Sequence, residues 1–185
     1  MEKILFFDTE IQPESGKLLD IGAVRTDGMQ LHTASAAALS DFAKGYPFVC
    51  GHNIIAHDLR FVHDSLPDQY LAIDTLCLSP LLFPMRPYHA LVKDDKLQSG
   101  TLNNPLNDAM KARELFFDEY SAYRALPPGL RRIYSPSWQH SAIPRLLPPG
   151  GRADGSGPGP GRAEFFRGKD LHQCAPGAFD PQGPH

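Results

Sequence analysis

Along the first 126 residues, apolar and polar positions fall into short blocks with recognisable periods. Residues 3–10, KILFFDTE, carry four consecutive bulky apolar residues and then two acids separated by Thr9. An uninterrupted apolar run predicts a strand buried on both faces, as at the centre of a sheet. PESG predicts a turn, and LLDIGAVRTDG a second strand closed by Asp-Gly. QLHTAS reads as a third strand. SAAALSDFAKG predicts a short helix with Gly45 near its end. FVCGHN reads as a strand entering a loop, and AHDLRFVHDSL as a helix with Leu59, Val62 and Leu66 on one side. YLAIDTLCLSPLLFP begins as a strand and stops before Pro84. NPLNDAMKARELFFDEYSAYRAL gives the strongest helical signal. Asn104 suits the N-cap, Pro105 the first helical position, and Ala109, Ala112 and Phe116 continue one face. Strands first, then strands alternating with helices, predict an α/β domain with a mixed sheet.

Composition changes this picture beyond residue 126. The last 59 residues hold 11 of the 18 prolines and 10 of the 16 glycines. PPGGRADGSGPGPGRAEFFRGKD has neither helical nor strand period and too few clustered apolar residues to offset the entropy of ordering it. The chain therefore divides into a domain over residues 1–130 and a Pro/Gly-rich, disordered tail over 131–185. Two origins of the tail stay open: a natural low-complexity segment, or a chain truncated or read out of frame after RRIYS.

Charge narrows the classes. The first 126 residues carry 11 Lys+Arg against 17 Asp+Glu, so any nucleic-acid contact has to be local or made through cations held by acids. No apolar run approaches the ~20 residues of a membrane span. A strand-like segment follows Met1 almost at once, which argues against a signal peptide. Cys50, Cys77 and Cys174 are scattered, odd in number and without a CxxC, which argues against a disulfide framework or structural zinc. A cytoplasmic protein is the expectation.

The acids carry the candidate chemistry. Asp8 and Glu10, two apart on a strand, point to the same face where the apolar run ends. Asp58 falls in the first turns of the helix after Gly51-His52-Asn53, and Asp108 lies four residues after the cap Asn104. Singly, each reads as an ordinary strand end or helix-dipole contact. Together, four carboxylates around one point repel unless cations lie between them. Such a set suits two Mg²⁺ or Mn²⁺ ions roughly 3.5–4 Å apart, the arrangement that activates water in phosphodiester hydrolysis.

FFDTE, GHNIIAHDLRFV, IDTLCLSPLLFP and NDA, in this order, resemble the motifs of the DEDD family of 3′–5′ exonucleases, which includes the proofreading subunit of bacterial DNA polymerase III. LVKDDKLQSGTLNNPLNDAMKARELF is also similar to exonuclease-like domains fused to RecQ-type helicases. The resemblance spans residue 3 to about 120. It implies a ribonuclease H-like fold and Asp8, Glu10, Asp58 and Asp108 as metal-binding acids. It also implies Thr9, Asn53 and Phe61 along the path of the terminal nucleotide, with Phe61 equally suited to a core position. Implied partners are single-stranded DNA 3′ ends, RNA as a second substrate, and a helicase or polymerase. The family's general-base His, five residues before the last acid, is Asn103 here, and the alternative Tyr position is Asn104. An amide does not take up a proton near neutral pH. Loss of a general base costs about 10²–10⁴ in rate. His89, in RPYHALVKDDK, is the candidate replacement, and a degenerate module that binds metal and nucleic acid with little turnover is the competing expectation.

Overall fold

The computed structural model describes residues 2–91 and 104–137. Five strands form one mixed sheet in the order β3-β2-β1-β4-β5. They are β1 (Ile4–Ile11), β2 (Leu18–Arg25), β3 (Gln30–Thr33), β4 (Phe48–Gly51) and β5 (Leu71–Asp74). β1 runs antiparallel to β2 and parallel to β4, and β5 continues in parallel. β1 therefore has a partner on either edge, as its apolar run predicts.

Alternation along β1 sorts the core into two layers. Ile4 and Phe6 join Cys50, Ile73, Ala109, Phe116 and Tyr123 on one side. Leu5 and Phe7 join Ile21, Leu39, Val49, Ile54 and Leu59 on the other. The first layer is covered by α3 (Thr75–Leu82) and α4 (Pro105–Ala125), the second by α1 (Ala36–Ala43) and the short α2 (Leu59–Val62). Asn104 caps α4, its side chain accepting from the Leu106 amide. Ser35 does the same for α1 through Ala38 N–H.

Three elements depart from the sequence reading. The helix expected through AHDLRFVHDSL shrinks to four residues and a 3-10 turn at His63–Ser65. Asp58 stands at the cap position rather than inside the first turns, and its side chain makes no cap hydrogen bond. The strand in YLAIDTLCLSPLLFP ends at Asp74 and becomes α3, because the Asp74 carboxylate accepts from Leu76 N–H and starts a helix. α5 (Pro128–Ser137) follows with Pro at its start and Tyr134 packed against the first core layer. α5 therefore runs past the expected boundary at 130, so residues 131–137 are helical and not part of a disordered tail; the rest of the expected tail, 138–185, lies outside the described residues.

Among the described residues, no helix is long and apolar enough to cross a membrane.

Candidate functional site

The end of β1 opens into a cavity of about 340 Å³, lined by Asp8, Thr9, Glu10, Ile11, His52, Asn53, His57, Asp58, Ala90, Leu91 and Asp108. All four acids singled out in the sequence line this one space, together with Thr9 and Asn53. They reach it from three directions.

Asp8 and Glu10 share the parity of Ile4 and Phe6, which faces α4. Asp108 comes from the first turn of that same helix, where the unpaired amides favour a carboxylate. It is 6% exposed, and its Oδ1 lies 4.0 Å from Lys111 Nζ. Gly22 on β2 lets the helix start come this close. A Cβ there would stand 1.9 Å from the Leu106 nitrogen and 2.1 Å from the Pro105 carbonyl carbon. Asp8 pairs in register with Gly22, so the same close approach that seats α4 brings Asp108 beside the strand end.

Asp58 arrives from the opposite layer. It is 2% exposed, and its Oδ1 accepts from the Thr9 amide at 2.8 Å and the Thr9 hydroxyl at 2.6 Å. This explains why it leaves its own helix uncapped. Burial pushes the Asp58 carboxyl above its ordinary value, while the Thr9 hydroxyl, His57 and the Thr9 amide pull it back. His57 Nδ1 lies 3.8 Å from Oδ1.

Asp74 is the residue the sequence reading missed. Its Oδ1 accepts from Asn53 N–H at 2.9 Å and Leu76 N–H at 2.9 Å, and its Oδ2 from Ile55 N–H at 3.1 Å. These bonds hold the His52–Ile55 turn, in which Asn53 sits at φ 63°. A polar side chain that tolerates the left-handed region suits that position. The available signal was an acid ending an apolar strand in AIDTL, the same feature that marked Asp8.

Phe61 does not line the cavity. Its ring packs against the second core layer, 6.0 Å from the His57 ring. His89 is not in the lining either; its Nδ1 bonds the Ser79 hydroxyl of α3 at 2.9 Å. Asn104 is occupied as a helix cap, and Asn103 lies outside the described residues.

Carboxylate oxygens are suitable ligands for hard divalent cations. Glu10 Oε1 is buried without a hydrogen-bond partner among the described residues, and so fits a cation. Among the described residues, no group of three or more His, Cys, Asp or Glu side chains stands in an arrangement ready to hold a metal ion. One Asp58 oxygen is turned onto Thr9, consistent with an acid set that is gathered around the cavity without being drawn together. No protein-family model, curated protein or solved structure matches the chain.

Proposed function

We propose that this protein is a metal-dependent 3′–5′ exonuclease of the DEDD kind, with a ribonuclease H-like fold, hydrolysing terminal phosphodiester bonds of DNA and, as a second substrate, RNA. The observation that carries the reading is the shared cavity. Four carboxylates from three separate stretches of the chain line it, together with Thr9 and Asn53.

In this reading Asp8, Glu10, Asp58 and Asp108 hold two Mg²⁺ or Mn²⁺ ions. When bound, the ions supply an activated water and charge stabilisation for the leaving oxygen. The chain's own residues do the rest. Asp8 and Glu10 present a fixed anionic edge on a strand paired at both sides. Thr9 fixes the rotamer of Asp58 through two hydrogen bonds. Asp74 fixes the turn that offers Asn53 to the substrate. Asn104, at the place of the family's Tyr, caps α4 and so holds Asp108 in its first turn. The substrate reaches the site as a single-stranded 3′ end in the cytoplasm, delivered by a helicase or polymerase partner.

A second reading is favoured by the missing general base: Asn104, at the place of the family's Tyr, is occupied as a helix cap, and His89 is bonded to Ser79. It is a degenerate exonuclease-fold module that binds metal and nucleic acid with little turnover. Calorimetric titration with Mn²⁺, run beside a nucleotide-release assay, separates the two. Binding with release supports the enzyme; binding without release supports the module.

A further inference from the structure

Two histidines that the proposed chemistry does not use bracket one wall of the cavity. Leu91 N–H donates to His52 Nε2 at 3.2 Å. A backbone amide can only donate, so Nε2 carries the lone pair. Neutral His52 therefore has its proton on Nδ1, which stands 2.8 Å from the Thr75 hydroxyl oxygen. Thr75 is fully buried, and its hydroxyl in turn donates to the Gly51 carbonyl at 3.4 Å. Every bond in the chain Leu91–His52–Thr75–Gly51 runs in one direction, which selects one tautomer. Two residues before Leu91, His89 is tied to buried Ser79. Between and beside these ties lie Ala90 and Leu91, both in the cavity lining. His52 lines it too, so the bond to Leu91 forms part of the wall.

We propose that His52 is a positioning residue: in its Nδ1-protonated form it fixes Leu91 and Ala90 as a wall of the cleft, and thereby sets affinity for the nucleic-acid strand rather than the rate of bond cleavage. The substrate class rests on the nuclease reading; the bond and its effect on the wall do not. The wall is apolar at Ala90 and Leu91 and shares its cavity with Asp8, Glu10, Asp58 and Asp108. It suits the sugar and base of a terminal nucleotide, while its phosphate stays near the carboxylates. Held in place beforehand, the wall spares the strand the entropic cost of ordering it on binding.

The test uses the full chain with His52→Phe, which keeps a ring and loses both bonds, and Thr75→Val, which removes only the hydroxyl. Three quantities are measured: hydrogen exchange of the Leu91 amide, Kd for a fluorescein-labelled single-stranded oligodeoxynucleotide in Ca²⁺, and single-turnover release in Mn²⁺. Loss of one hydrogen bond predicts faster Leu91 exchange and a Kd about fivefold weaker in His52→Phe. Thr75→Val shows smaller shifts of the same sign, and the saturated release rate stays within about threefold. Unchanged Leu91 exchange, or unchanged Kd despite faster exchange, overturns the proposal. So does a wild-type chain that does not bind the oligonucleotide. A wild-type chain that binds but releases nothing defeats the nuclease reading alone, and the Kd comparison still decides the role of His52.

Discussion

Asp58 and Glu119 are both carboxyl groups driven out of water, at 2% and 1% exposure, and their surroundings treat them in opposite ways. Asp58 meets two donors from Thr9 at the edge of a cavity. Glu119 sits inside the α4 layer, and neither of its oxygens has a hydrogen-bond partner among the described residues. Burial raises both pKa values. For Asp58 the Thr9 donors counter it. For Glu119, Asp74 and Asp118 add to it, Arg86 opposes it, and the result is about 9. The difference shows which buried acid the fold equips to carry charge. Asp58 is supported as an anion; Glu119 is accommodated as a neutral acid.

The largest expected consequence lies at Glu119. Unfolded, its carboxyl titrates near 4.5; folded, at about 9. Between those values the unfolded chain gives up the proton and the folded chain keeps it. Stability is therefore full below the lower value and declines as pH rises toward the upper one, by up to about 1.4 kcal/mol per pH unit. Urea unfolding from pH 5 to pH 8 is expected to show this decline in wild type, with a flatter profile in Glu119→Gln. Glu119→Leu should stabilise the chain at pH 8 by about 1–4 kcal/mol, since an apolar side chain replaces an unsupported acid. Equal slopes in wild type and variant would remove the contrast with Asp58.

Next in size is Thr9→Val. It removes the 2.6 Å hydroxyl bond but leaves the amide, so Asp58 loses half of its support. A cost of about 1–3 kcal/mol at neutral pH is expected, with the Asp58 carboxyl pushed further up, read by NMR titration of its side chain. A variant as stable as wild type, with Asp58 titrating unchanged, would mean the donors do not support the charge.

The smallest effect is expected of Asp74→Asn, which acts on Glu119 and on the turn that carries Asn53. The amide removes a negative charge near Glu119 and replaces one acceptor oxygen by an NH2 group that cannot accept, so the one remaining oxygen cannot serve Ile55 and Asn53 together. Glu119 should titrate lower than in wild type. Exchange at whichever of the Asn53 and Ile55 amides loses its acceptor should accelerate about fivefold, for one lost bond. If those amides stay protected, Asp74 is not what holds the turn.

The strands and the long helix were legible because their signals are local. An apolar run, an Asp-Gly turn and an Asn-Pro helix start each act within a few residues. Helix α3 was hidden because its apolar sequence fits strand and helix alike, and one carboxylate, Asp74, decides the switch. The four acids could be nominated from spacing and resemblance. Their approach could not be read from the chain, because it depends on Gly22 admitting Leu106 and on Thr9 drawing in Asp58 across 49 residues. The positions of Phe61 and His89 were equally invisible, being set by partners in other elements.

The central claim is that the acids at the end of β1 act together on a terminal phosphodiester. Its most direct measurement is release of mononucleotides from single-stranded DNA labelled at its 5′ end, with and without Mn²⁺, by wild type and by Asp8→Ala. The account predicts stepwise shortening from the 3′ end that requires Mn²⁺ and disappears in the variant. Shortening that persists at the wild-type rate in Asp8→Ala, or none by wild type in Mn²⁺, would contradict it.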